Sequence, residues 1–68
     1  MNRGDIIFLA RPILTPLGEH LRRGNEGIII TRWDPPQSLQ TEYVVRFFST
    51  ADKKTVDVIC FDRDFQEG

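Results

Sequence analysis

The sequence predicts a small all-β protein, a barrel of about five short antiparallel strands with a long first loop and a 3₁₀ turn near the C-terminus. Its apolar stretches are rich in β-branched and aromatic residues and too short for convincing helices. Glycine, proline and polar clusters separate these stretches. The 68-residue chain, residues 1–68, is predicted to be one domain because it is too short for a second core.

The first half of the chain predicts two strands joined by a long loop. Residues 5–11 form the first strand and carry apolar side chains on both faces. Residues 12–27 contain two prolines and three glycines and predict the loop. It ends in a tight turn, where we expect positive φ angles at Gly24 and Gly27. Residues 28–33 form the second strand, which stops before two successive prolines.

The second half predicts a β-hairpin followed by a short turn. Residues 41–48 and 55–61 form its strands, and the polar residues 49–54 connect them. Residues 62–66 are too few and too charged for a strand. We expect one 3₁₀ turn there, which places Phe65 on the core.

Composition and charge indicate the compartment of the protein and the kinds of partner it binds. Nine basic and ten acidic residues give a net charge of −1, without the basic excess that is typical of proteins binding nucleic acid through phosphates. Cys60 is the single cysteine and is expected to be a buried thiol in a reducing compartment. We identify no signal peptide and no apolar run long enough to cross a bilayer, so the expected localisation is cytoplasmic.

No residue constellation indicates catalysis, a metal or a cofactor. His20 is the only histidine, and nothing in the sequence places a nucleophile or carboxylate beside it. Asp57, Asp62, Asp64 and Glu67 lack the spacing of a calcium loop and are expected to be surface and turn residues. The protein is therefore predicted not to be an enzyme, with no cofactor and no metal.

Three segments resemble the SH3-like barrel. Gly-Asp-Ile-Ile at residues 4–7 is similar to the opening of many such barrels. Residues 23–29 resemble the turn that leads into their second strand. The pair formed by residues 43–47 and 56–58 is similar to their central hairpin. Together these segments span nearly the whole chain, and they are signatures of a fold rather than of a function.

Within that fold, the layout is similar to the NifZ family of nitrogenase maturation accessories. The segments that carry this likeness are residues 22–27, 42–47 and 62–65. Residues 3–12 resemble the start of the small SH3-like protein of photosystem I. The resemblance to the NifZ family implies an accessory protein. The type II dihydrofolate reductase, a tetramer with a central pore, shares the barrel, but its pore motif is replaced here by Val-Asp-Val-Ile at residues 56–59.

A second apolar face is predicted because three strands fail to alternate between apolar and polar residues. A chain this small buries only one face of its sheet, so the other face should carry an exposed apolar patch that marks an interface. We therefore expect self-association or an obligate protein partner. The residues expected on this second face are Ile7, Leu9, Ile29, Phe48 and Ile59.

Three functions are compatible with these features. The first is a protein-binding or accessory module, self-associating or docked on a larger enzyme or complex. The second is a barrel that binds nucleic acid through a local arginine and tryptophan patch, helped by Lys53 and Lys54. The third is an oligomeric enzyme with a shared pore. The candidate binding residues are Arg22, Arg23, Arg32, Trp33, Arg46 and Phe48.

Overall fold

The computed structural model describes residues 1–36 and 40–65 and shows an all-β protein, as predicted. Its elements are β1 (Ile6–Phe8), β2 (Ile13–Leu14), β3 (His20–Leu21), β4 (Glu26–Trp33), β5 (Glu42–Ser49), β6 (Lys54–Cys60) and the helical turn α1 (Asp62–Phe65). Four strands form an antiparallel sheet in the order β1-β4-β5-β6, while β2 and β3 form a separate pair. Because β1 and β6 are the edges of the larger sheet, closure into a barrel stays a prediction.

The long first loop contains regular structure that the sequence did not predict. The β2–β3 hairpin turns where the Thr15 N–H donates to the Glu19 carbonyl and the Gly18 N–H donates to the Thr15 carbonyl, both at 2.9 Å. Gly18 has a φ of +86°, which a glycine adopts without steric cost. The hairpin places Leu21 in the core. Strands of two residues are too short to give a periodic signal, so the sequence indicated only a loop.

The C-terminal turn docks as predicted but is α-helical rather than 3₁₀. Phe65 is buried, and its ring meets that of Tyr43 edge to face with centroids 5.3 Å apart. The Tyr43 hydroxyl donates to an Asp62 oxygen at 2.9 Å, and the Ala10 N–H donates to the Asp64 carbonyl at 2.8 Å. These bonds join the end of the described chain to β5 and to the segment after β1.

The core lies on one face of the four-stranded sheet. The β2–β3 hairpin contributes Leu21 to it, and α1 contributes Phe65. The alternation expected for the last hairpin is confirmed, since Val45, Phe47 and Cys60 are fully buried. The buried apolar side chains are Ile7, Leu9, Leu21, Ile29, Tyr43, Val45, Phe47, Cys60 and Phe65, with Ile13, Val56 and Val58 packed against them.

Gly27 sits directly against the most buried aromatic ring of the core. Gly24 has the positive φ expected of a turn glycine, +87°, whereas Gly27 lies within β4 and has no positive φ, so that part of the expectation is wrong. A Cβ atom at Gly27 would lie 2.6 Å from two ring carbons of Phe47 and 2.7 Å from a methyl of Val45. Residue 27 is glycine because the ring occupies the space that a side chain would need.

We predict that Gly27→Ala lowers the free energy of unfolding by about 1–3 kcal/mol, the usual cost of overpacking a core. The added methyl must displace a ring with no exposed surface. Thr31→Ala is the matched control, because Thr31 lies on the same strand and is exposed. Urea denaturation of both variants measures the effect, and equal midpoints would contradict the account of Gly27.

Candidate functional site

The side chains that point away from the core on β1, β4, β5 and β6 form one surface, which we call the outer face. Besides Trp33 at its far end, five large apolar side chains on it leave between 40% and 59% of their surface in contact with solvent. All four strands of the sheet contribute to the set, so the exposure is a property of the whole face. The five residues are Ile6, Phe8, Ile28, Phe48 and Ile59.

Strand register places four of these side chains near one another, whereas Ile59 lies opposite Val44, on the far side of the Arg46–Asp57 row. Ile6 of β1 is opposite Ile28 of β4, and Ile28 is opposite Arg46 of β5. Residues directly opposite each other in an antiparallel pair have Cβ atoms about 4.5–5.5 Å apart, close enough for side chains to touch. Phe8 and Phe48 flank this row toward one end of the sheet, at the level of the first residue of β4. The middle row of the outer face therefore has an apolar half, Ile6 and Ile28, and a charged half, Arg46 and Asp57.

The second apolar face exists, but three of the five residues expected on it are elsewhere. Phe48 and Ile59 lie on the outer face, as predicted. Ile7, Leu9 and Ile29 point the other way and are buried, so their assignment is wrong. Ile7 is opposite Gly27, whose position faces the core beneath the Phe47 ring. That contact sets which side of β1 and β4 is inward.

Three exposed residues of the outer face, Ile6, Phe8 and Ile28, were not predicted from the sequence. Alternation along β1 already separates Ile6 and Phe8 from Ile7. The sequence feature that indicates which side faces the core is Gly27. A glycine inside a strand often marks the close approach of a neighbouring group. Taking residue 27 as inward would have placed Ile28 outward by alternation.

Arg46 lies on the outer face and is held by Asp57 on the neighbouring strand. Its Nε donates to one carboxylate oxygen at 2.9 Å and a terminal nitrogen donates to the other at 3.1 Å. The hydrogen bond with Arg46 lowers the pKa of Asp57, and the same bond raises the pKa of Arg46. Both groups thus stay ionised and cancel each other. The register also places Glu26 opposite Phe8 and Glu42 opposite Trp33 on the outer face, so the face carries more acidic than basic side chains.

Trp33 and Arg32, at the end of β4, point to opposite sides of the sheet. A β-bulge between Ile29 and Thr31 shifts the alternation by one residue. It places Thr31 opposite Val44 and Trp33 opposite Glu42, so Trp33 points outward and is 54% exposed. Arg32 is opposite a core position instead. Trp33 therefore borders the outer face at its far end, while Arg32 does not belong to it.

The Arg32 guanidinium is already used within the chain. Its Nε donates to an Asp34 carboxylate oxygen at 3.1 Å, and another nitrogen donates to the Met1 carbonyl at 2.8 Å. The Thr41 hydroxyl also donates to Asp34, at 2.6 Å. Hydrogen bonds from Thr41 and then Arg32 lower the pKa of Asp34. This network ties the N-terminus to the end of β4.

The predicted arginine and tryptophan patch is not assembled. Arg22 and Arg23 are exposed in the turn before β4, whereas Trp33 is the last residue of that strand. The length of β4 separates the two ends by roughly 23 Å at about 3.3 Å per residue. Of the six candidate binding residues, only Arg46 and Phe48 lie in the central part of the outer face.

The ionisable residues weighed for catalysis are dispersed. His20 is exposed on β3. Asp57 is paired with Arg46, and Asp62 accepts the Tyr43 hydroxyl bond. Among residues 1–36 and 40–65, no group of three histidine, cysteine, aspartate or glutamate side chains is arranged to hold a metal ion. Glu67 lies outside the described residues.

Glu19 is a buried carboxylate that joins the β2–β3 hairpin to the start of β6. The Lys54 ammonium lies 2.6 Å from one of its oxygens, and the Thr15 hydroxyl donates to the other at 2.8 Å. These hydrogen bonds, with Lys54 the larger cause, lower the pKa of Glu19. The groove of about 500 Å³ beside this pair runs past Leu17 and Val56. The pair has a structural role, since both oxygens of the carboxylate are used.

We predict that Glu19→Gln destabilises the protein at pH 7 and that the difference from wild type disappears in acid. A carboxyl whose pKa is lower when folded contributes stability above its unfolded pKa, about 4.3, and loses it as pH falls through the folded pKa. Urea midpoints of both proteins between neutral pH and pH 2 measure this. A difference independent of pH would contradict the role of the Glu19 charge.

Cys60 is fully buried, which confirms the expected buried thiol. Burial, followed by the charge of Asp64, raises the pKa of this thiol to about 12. A thiol protonated at neutral pH and shielded from solvent is a poor nucleophile. Cys60 therefore acts as a core side chain.

Comparison with family models, curated proteins and solved structures gives no match. The resemblances to SH3-like barrels, to the NifZ family and to the small SH3-like protein of photosystem I therefore stay predictions. Within the part of the chain that the structure describes, no helix is long and apolar enough to span a membrane.

Proposed function

We propose that this chain is a non-catalytic protein-binding module that uses the outer face to join a larger assembly in the cytoplasm. The observation that carries the proposal is the cluster of half-exposed Ile6, Phe8, Ile28, Phe48 and Ile59 on four adjacent strands. Contiguous exposed apolar surface is costly in water and marks sites where another molecule covers it.

The charges of the face favour a protein over a nucleic acid. Phosphate binding relies on arginine and lysine donors that are open to the ligand. On the outer face, the Arg46 guanidinium already makes two hydrogen bonds to Asp57. At the end of β4, Arg32 is similarly engaged by Asp34. An apolar protein surface can bind the outer face without breaking the hydrogen bonds of either Arg46 or Arg32.

Affinity capture from the host lysate with matched variants tests the proposal. Phe48→Asp puts a charge on the outer face, and Thr50→Asp makes the same change at an exposed site in the β5–β6 turn. We expect wild type and Thr50→Asp to retain the same protein after nuclease treatment, and Phe48→Asp to retain at least about tenfold less, since burying an unpaired charge costs more than 1.4 kcal/mol.

Two outcomes would contradict the proposal. Capture that nuclease treatment abolishes would indicate nucleic acid as the ligand. Equal capture by wild type and Phe48→Asp would show that the partner binds elsewhere. Circular dichroism and thermal midpoints of the three proteins establish that the variants are folded.

A further inference from the structure

A carboxylate stands between two aromatic rings at one end of the outer face. Glu26 of β4 is opposite Phe8 of β1. Phe48 of β5 lies on its other side, because the adjacent pair is Gly27 with Phe47. Phe8 is 56% exposed, Phe48 is 52% exposed, and Glu26 is exposed as well. This arrangement fits a lysine or arginine side chain, which gains an ion pair from the carboxylate and a cation–π contact from a ring.

The far end of the outer face repeats this chemistry. Glu42 of β5 is opposite Trp33 of β4, whose ring is 54% exposed. Tryptophan is the aromatic side chain that attracts a cation most strongly. Among residues 1–36 and 40–65, no hydrogen bond or ion pair uses the side-chain carboxylate of Glu26 or Glu42. Both carboxylates are therefore open to a partner, unlike that of Asp57, which Arg46 holds.

An apolar strip joins the two ends. Ile28 of β4 and Val44 of β5 lie on the outer face between the two glutamates. Phe48 and Glu42, near the two ends of β5, are roughly 20 Å apart at about 3.3 Å per residue. An α-helix about 10–12 Å across covers two strands that are about 4.8 Å apart, and it spans this length in about fourteen residues. One helix therefore matches both the width and the length of the strip.

We propose that the occupant of the outer face is an amphipathic α-helix of another protein, with apolar side chains over the strip and a lysine or arginine near each end. The inference rests on the proposed function and names the chemistry of its partner. Charge complementarity selects this occupant, because each basic side chain meets an open carboxylate beside an aromatic ring. An acidic peptide or a nucleic acid would meet two like charges instead. The apolar side of the helix removes the strip from water.

Binding of two synthetic peptides tests the inference. Both are amphipathic helices of about fourteen residues that lack tryptophan and share one leucine face. One carries lysine at both ends, and the other carries glutamate there. Trp33 is the only tryptophan of the chain, so its fluorescence reports binding at the far end. We expect the lysine peptide to bind with an affinity that falls as salt rises, and the glutamate peptide to bind at least about tenfold more weakly.

Removing the two carboxylates should remove most of this preference. In the double variant Glu26→Gln/Glu42→Gln, we expect the lysine peptide to bind at least about fivefold more weakly, because two ion pairs are lost. The matched control is Asp5→Asn/Asp52→Asn, which removes two exposed carboxylates from the segment before β1 and from the β5–β6 turn. This control should bind the lysine peptide as the wild type does. Thermal midpoints show whether both double variants are folded.

The outcomes separate this inference from the proposed function. Equal binding of the two peptides, binding of neither, or unchanged binding of the lysine peptide by Glu26→Gln/Glu42→Gln overturns the basic helix. Lysate capture with the same double variant then distinguishes the two proposals. If it retains a protein that Phe48→Asp loses, the protein-binding function stands and the partner is not a basic helix. If neither variant lowers protein capture, both proposals fall.

Discussion

The contact between the Phe47 ring and the backbone of Gly27 decides which side of the sheet is buried. A Cβ atom at residue 27 would point into the ring, so that position faces the core, and glycine leaves the ring the space it occupies. Alternation then turns Ile29 inward, and the pairing of Gly27 with Ile7 turns β1 the same way. One missing Cβ atom thus places Ile28 on the outer face. The apolar outer face is a consequence of how the core is packed.

The chain has more apolar strand surface than its own core can cover. β1 and the start of β4 carry isoleucine or phenylalanine on both sides, yet the β2–β3 hairpin and α1 cover only one side. A domain of 68 residues buries only about 60% of its unfolded surface, so burying a second face requires another molecule. Fold and proposed function are linked here, because the residues left outside the core supply the interface.

The sequence indicates the strands better than it indicates their orientation. β-branched and aromatic runs located the four longer strands, and alternation correctly separated the two sides of β5 and β6, where Asp57 breaks the apolar pattern. In β1 no polar residue distinguishes one side from the other, so Ile7 and Leu9 were placed on the wrong face. The deciding contact joins residues twenty positions apart, which local patterns do not contain.

The positions of the candidate binding residues could not be predicted for a similar reason. Arg32 and Trp33 are adjacent in sequence, but a bulge that depends on pairing with β5 determines which of them faces outward. Arg46 was identified correctly as part of a mixed apolar surface, yet its partner Asp57 could be found only from the register of β5 with β6. Polar pairs at the margins, such as Glu19 with Lys54 and Arg32 with Asp34, fasten the ends of the strands. The outer face is a broad surface of the described chain whose burial would release water from apolar groups, which is the driving force that protein association uses.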